Sequence, residues 1–182
     1  MIFTPLPLEG VYRIDLEKRE DERGFFARLY CEREFERHAL PTHWVQMNTT
    51  FTKNRGAVRG LHFQREPKTE AKVVRCLRGA IYDVVVDLRQ GSPTFGSWLS
   101  FELNEDNRTM LYVPPGFAHG LQTLTENCEL LYLHAEFYSP ECEGGVRCDD
   151  PSLNIEWPLP MDHLSERDQK LPLLRDIKPI LL

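Results

Sequence analysis

The sequence predicts an all-β fold, an antiparallel β-sandwich or jelly-roll barrel with a few short peripheral helices, on three observations. Short β-branched and aromatic runs recur from residue 44 to about 138, at roughly ten-residue spacing. Gly, Pro, Asn and Asp break these runs and supply turn chemistry. Stretches of helical period are few. Many short strands with regular turn signals are the mark of such folds.

In chain order, the expected strands are "WVQMNTTF" (44–51), "AVRGLHFQ" (57–64), "EAKVVRCL" (70–77), "AIYDVVVDL" (80–88), "WLSFEL" (98–103), "TMLYVP" (109–114) and "ELLYLHAEFY" (129–138). The breaks "KNRG", "LRG", "RQGSPTFGS" and "NEDN" separate them. Helix is expected in "EREFERHA" (32–39) and "LSERDQK" (164–170). A chain of 182 residues has room for one well-packed domain rather than two. Its barrel core is placed at about 44–138, with the N- and C-terminal segments wrapping the barrel. Residues 139–182, rich in Pro, Asp and Glu, read as loops around a short helix, and the apolar tail "LPLLRDIKPILL" as a cap on the barrel or a subunit interface.

With 41% hydrophobic and 27% charged residues and a net charge of −6, the composition argues against a general grip on nucleic acid. An anionic ligand therefore needs a local basic pocket. The start "MIFTPLPLEG" lacks the basic flank and apolar run of a secretory signal, and no stretch has the length to span a bilayer, so a cytoplasmic protein is expected. Five cysteines without C-x-x-C spacing suggest neither a disulfide framework nor a zinc site.

Strand alternation assigns faces. In "ELLYLHAEFY", Leu131, Leu133, Ala135 and Phe137 form an apolar side, and Tyr132, His134, Glu136 and Tyr138 a polar one. Gln46 and Asn48 share a face opposite Val45 and Met47. If these polar faces turn inward, the barrel has a wet, ligand-sized interior. Strict alternation puts Arg59 and His62 on opposite faces, but Gly60 between them is a natural bulge position that turns both inward. A lone histidine among apolar neighbours is more often a hydrogen-bonded structural residue; beside an inward arginine it resembles a base at an anion site. Ser165 and Asp168 have the spacing of a helix-capping box, which by itself accounts for Asp168. Lys72 and Arg75, three apart, fall on opposite faces, so only one of them need line the interior.

"VPPGFAHGL" carries a P-x-G-x-x-H pattern, Pro114 to His119, that resembles the second sequence motif of the cupin superfamily of jelly-roll barrels. Metal-binding cupins add an H-x-H and a glutamate on an earlier strand, because a divalent ion needs several converging ligands. The corresponding strand here, "GLHFQ", offers His62 alone, so the expectation is a cupin-type antiparallel jelly-roll barrel without metal or other cofactor.

The ordered motifs "DERGFF" (21–26), "QMN" (46–48), "GAVRGLHFQ" (56–64), "KVVRC" (72–76), "DVVVDLRQGSPTFG" (83–96), "VPPGFAHG" (113–120), "YSPECEGGVRCDDP" (138–151), "IEWP" (155–158) and "LSERD" (164–168) resemble the dTDP-4-dehydrorhamnose 3,5-epimerases over nearly the whole chain. The resemblance implies a metal-free homodimeric cupin that inverts carbons 3 and 5 of a nucleotide-linked 4-keto-6-deoxyhexose. Carbons flanking a ketone carry weakly acidic protons, so inversion needs a base on one face, a stabilised enolate and a proton donor on the other. By resemblance His62 is the base, Asp168 orients it, Lys72 stabilises the enolate oxygen and Tyr132 returns the proton. Arg23, Gln46, Asn48, Arg59 and His119 match positions that hold the nucleotide-sugar and its diphosphate, and Tyr138 the aromatic residue near the nucleoside. Phe26 and Arg28 belong to the nucleotide-reading segment, with Arg28 where the family commonly has a glutamate. Arg167 replaces a lysine near the phosphates, and Phe63 a tyrosine. After Tyr132 the common lysine gives way to Leu133 and His134. The carrier nucleotide and the choice between both carbons and carbon 3 alone therefore stay open, as do a catalytically silent sugar-nucleotide-binding cupin and a metal-dependent oxygenase.

Overall fold

The computed structural model describes residues 1–182, and two antiparallel sheets face each other across its interior. The strands in chain order are β1 (Ile2–Pro5), β2 (Tyr12–Asp15), β3 (Arg19–Asp21), β4 (Gly24–Phe26), β5 (Gln46–Thr52), β6 (Val58–Gln64), β7 (Lys72–Arg78), β8 (Ala80–Asp87), β9 (Trp98–Asn104), β10 (Met110–Val113), β11 (Phe117–Thr123), β12 (Cys128–His134) and β13 (Glu143–Gly145). The first sheet runs β1-β2-β10-β7-β12-β5, the second β13-β6-β11-β8-β9, and β3-β4 form a separate hairpin. Two short helices, α1 (Glu32–Arg37) and α2 (Glu166–Gln169), lie outside the sheets. This is the jelly-roll barrel that the sequence predicts. No helix is long and apolar enough to cross a membrane.

All seven expected strands are present, and three features differ. Residues 117–123, expected only as a motif, form β11, a central strand buried at every position. Covered on both faces, it has no alternation to betray it. The core does not begin at residue 44 either: β1 and β2 extend the first sheet, with Tyr12 facing Tyr112 and Ile14 facing Met110. The strand expected over 129–138 ends at His134, where Ala135 N donates to Ala71 O and the chain leaves the sheet.

Apolar residues pack in three layers. Between the sheets, Val74, Leu111, Val113 and Leu130 meet Ile81, Val85, Leu103 and Leu121. Outside the second sheet, Leu61, Phe63, Val84 and Val86 are covered by Val146, Leu153, Trp157 and Ile180 of the C-terminal segment. Outside the first, Ile14, Val73, Met110 and Tyr112 are covered by Phe35 of α1 and by Leu40. Each fully buried aliphatic side chain contributes about 1.5–3 kcal/mol. The tail caps the second sheet: Ile180 N donates to Leu88 O at 2.7 Å, and Gln90 N to Ile180 O at 2.8 Å. All five cysteines are free; burial pushes the thiols of Cys76 and Cys148 up to about 12 and about 11, which keeps them unreactive.

Candidate active site

The site begins with a close approach of two glycines. Where β6 pairs with β11, His62 faces His119 and Arg59 faces Leu121, so Gly60 and Leu61 together oppose Gly120. Gly60 has φ +118°, and a Cβ there would lie 2.6 Å from the Gly120 Cα. A Cβ on Gly120 would lie 2.8 Å from the Arg59 carbonyl. The bulge turns Arg59 and His62 toward one interior cavity of about 340 Å³, while Leu61 and Phe63 stay in the outer layer behind the strand. A core-like strand carries a titratable ring because its two faces meet different surroundings.

His62 Nε2 donates to Asp168 Oδ1 at 2.7 Å, which leaves Nδ1 as its free nitrogen. Ser165 does cap α2, its hydroxyl accepting from Asp168 N at 3.0 Å. The Asp168 carboxylate does not complete the box but turns into the barrel, where it also accepts from Gly60 N at 3.3 Å. Burial by itself would raise the Asp168 pKa, but the hydrogen bond and charge of His62 outweigh it and hold the carboxyl below its usual range. Local sequence accounts for the cap, and only the fold brings Asp168 to His62, 106 residues away.

The opposing wall belongs to the first sheet. Tyr132 on β12 and Lys72 on β7 line the same cavity as His62. The Lys72 ammonium is 2.8 Å from Glu70 Oε1, and Glu70 Oε2 accepts from His134 Nδ1 at 2.8 Å. Burial would raise the Glu70 pKa, yet His134 and Lys72 together lower it. Burial raises that of the Tyr132 phenol. Arg75, on the opposite face of β7, does not line this cavity; its Nε is buried without a partner.

At the floor, His119 Nε2 donates to Asp83 Oδ2 at 2.8 Å, and the His119 ring lies edge-on to Tyr132 at 6.2 Å. Asp83 is wholly buried, which pushes its pKa up against the pull of His119. No three His, Cys, Asp or Glu side chains converge on one point; each cavity imidazole is tied to a carboxylate of its own.

Asn48 and Arg59 line the cavity too, and Arg59 Nε donates to Thr52 Oγ1 at 2.9 Å. Gln46 and Tyr138 border an adjoining cleft that shares His62, Lys72 and His134 with it. There Gln46 Oε1 accepts from Tyr138 N, and the Tyr138 hydroxyl donates to Glu143 at 2.9 Å. Arg167, paired with Glu143, joins Lys53, Arg59 and His163 around a basic cleft of about 500 Å³ that meets the cavity at His62. The acidic chain thus has the local basic pocket that an anion needs.

Arg23, Phe26 and Arg28 are not brought to this cavity. The hairpin β3-β4 that carries the first two pairs only with itself, so nothing draws it over the barrel mouth. Arg23 is exposed and held by Asp21; Phe26 is 72% exposed; Arg28, 2.7 Å from Glu34, lines a separate cleft with Met1 and Arg19. Conversely, Glu70, Asp83 and Glu143 were missed as site residues. Glu70 had a signal, since it lies two residues before Lys72, the spacing that alternation puts on one face. Glu143 had none, because its place depends on β13 pairing with β6.

The family model described as dTDP-4-dehydrorhamnose 3,5-epimerase matches residues 5–176. A dTDP-4-dehydrorhamnose 3,5-epimerase of Sinorhizobium fredii is 42% identical over 178 residues, 97% of this chain and 91% of that one. A dTDP-4-dehydrorhamnose 3-epimerase of Streptomyces niveus is 41% identical across 98% of this chain and 86% of its own. The crystal structure of the dTDP-4-dehydrorhamnose 3,5-epimerase from Elizabethkingia anophelis NUHP1 resembles the fold with a TM-score of 0.93 at 41% identity, covering 97% of each chain.

Proposed function

The chain belongs to the dTDP-4-dehydrorhamnose 3,5-epimerase family, and from that premise we propose that it inverts carbons 3 and 5 of dTDP-4-keto-6-deoxyglucose through enolate intermediates. The observation that carries this function is a base and an acid on opposing walls of one cavity, His62 on the second sheet and Tyr132 on the first, with the Lys72 ammonium beside them. His62 Nδ1 takes the proton from the carbon beside the ketone, and Asp168 stabilises the imidazolium that results. The ammonium of Lys72 faces the oxygen on which negative charge develops. Tyr132 then delivers its proton from the opposite face, and the configuration inverts. No step calls for a metal.

For binding, Arg59 and Arg167 take the diphosphate in the basic cleft, arginine being suited by its planar fork. Asn48 and His119 hold the sugar, and Gln46 and Tyr138 the nucleoside side. The enzyme works as one cytoplasmic cupin domain in a homodimer, making an activated deoxysugar for a cell-surface or secondary-metabolite product. Arg23, Phe26 and Arg28 then act in the other protomer's site: the exposed hairpin of the first two and Arg28 just after it lie off their own cavity, and β5, at one edge of the first sheet, exposes Met47 and Phe51.

Proton NMR in D₂O with dTDP-4-keto-6-deoxyglucose tests the function. Deuterium entry with inversion at both carbons, abolished by His62→Ala, is the expected result. Inversion at carbon 3 alone would make the enzyme a 3-epimerase, a reading favoured by the name of the Streptomyces niveus relative. No exchange in folded protein would redirect the search to other carrier nucleotides, then to a silent sugar-nucleotide-binding cupin.

A further inference from the structure

Three imidazole–carboxylate pairs border the cavity, and the function proposed above gives a role to two of the imidazoles, proton abstraction to His62 with Asp168 and a hold on the sugar to His119. The third, His134–Glu70, lies on the wall of Tyr132. His134 follows Tyr132 by two residues on β12, and their rings stack at 6.0 Å with 23° between planes. Across the strand pair His134 faces Lys72, and Glu70 bridges the two, accepting from His134 Nδ1 and lying 2.8 Å from the Lys72 ammonium. A carboxylate can only accept, so Nδ1 carries the hydrogen and Nε2 is the nitrogen free to take up and give a proton.

Every inversion leaves a deficit on this wall. His62 gains the substrate's proton and Tyr132 loses its own, so His62 must shed a proton, and Tyr132 regain one, before the next turnover. Tyr132 packs against the apolar layer between the sheets, where a phenolate is poorly solvated. His119 also touches Tyr132, but it is buried beside the wholly buried Asp83 and does not border the adjoining cleft. His134 borders both the cavity and the adjoining cleft, and so connects Tyr132 with solvent.

We propose that His134, held by Glu70, is the proton relay that recharges Tyr132 after each inversion. The step balances. The Tyr132 O–H breaks as the substrate C–H forms; the free Nε2 of His134 takes a proton from solvent, to which His62 has released one; that new Nε2–H then breaks as the phenol O–H is restored, directly or across one water, and the imidazole returns to its neutral form. Glu70 is a positioning residue that fixes the His134 tautomer and also anchors Lys72. The relay rests on the epimerase function proposed above.

The test compares His134→Gln with the parent enzyme by NMR in D₂O, measuring deuterium exchange and inversion on the same sample. Abstraction by His62 persists in the variant, so exchange stays within about two-fold while inversion per exchange event falls by about ten-fold or more, with KM unchanged. Because His134 acts only through Tyr132, the double variant His134→Gln/Tyr132→Phe inverts no more slowly than Tyr132→Phe alone. Glu70→Gln lowers both rates, since Lys72 loses its anchor as well. A parent-like ratio of inversion to exchange in His134→Gln, or fully additive losses in the double variant, would overturn the relay and leave the epimerase function standing. A parent enzyme silent at both carbons would overturn both.

Discussion

Asp168 serves two structures at once. Its backbone N–H belongs to the cap of α2, and its carboxylate belongs to His62. Asp168→Asn keeps the cap and the size of the side chain, but an amide in place of the carboxylate permits the wrong His62 tautomer and no longer offsets an imidazolium. The expected result is a kcat lower by about 10²–10⁴-fold with a much smaller change in KM, read by steady-state kinetics. An unaltered kcat would remove Asp168 from the mechanism. At this scale the sequence was legible where a residue's neighbours along the strand decide its face: Arg59 and His62 through Gly60, and Tyr132 with His134 by alternation. It was illegible where the partner is distant in the chain, as with Asp83 for His119 or Glu143 for Arg167.

Among the elements, the β6–β11 pair sets the geometry of the cavity, because the approach of Gly60 to Gly120 creates the bulge. Gly60→Ala puts a Cβ 2.6 Å from backbone at a φ of +118°, so the strands must separate. A loss of about 3 kcal/mol or more is expected, seen as a lower thermal midpoint, along with lost activity as Arg59 and His62 swing away. A variant with parent stability would show that the bulge does not need glycine. The loop after β8 depends on Asp87, whose carboxylate accepts from Arg89, Ser92 and Thr94. Although buried, it is held down to about 2 by these bonds, below the 3.8 of an unpaired carboxyl. A carboxyl with a depressed folded pKa stabilises the fold fully above its unfolded pKa and loses that contribution as pH falls toward the folded one. Asp87→Asn should therefore cost roughly 2 kcal/mol in urea unfolding near neutrality, and the difference from the parent should shrink from about pH 5 down to about pH 2. A pH-independent difference would mean that packing, not charge, is what Asp87 supplies. The turn signals made this loop legible as a break between strands, but its aspartate hub needed the folded loop.

For the whole molecule, the exposed hairpin leads to a complementation experiment. If Phe26 completes the other protomer's site, mixing His62→Ala and Phe26→Ala proteins and letting protomers exchange should restore activity above that of either variant. Each mixed dimer then holds one cavity with an intact His62 facing an intact hairpin. Activity no greater than the average of the two, in a mixture shown by sedimentation to be dimeric, would confine each site to its own chain. By itself the sequence determined the all-β class, seven of the strands, the two helices and the inward turn of His62, because periodicity, turn residues and a glycine bulge act over a few residues. Only the tertiary structure decided that the N-terminal strands extend the first sheet, that residues 117–123 form a central strand, and that three histidines each find a carboxylate around one cavity. Those outcomes depend on which strands pair across the sheets, and pairing between distant segments is set by the packing of the whole chain, not by the residues on either side of each position.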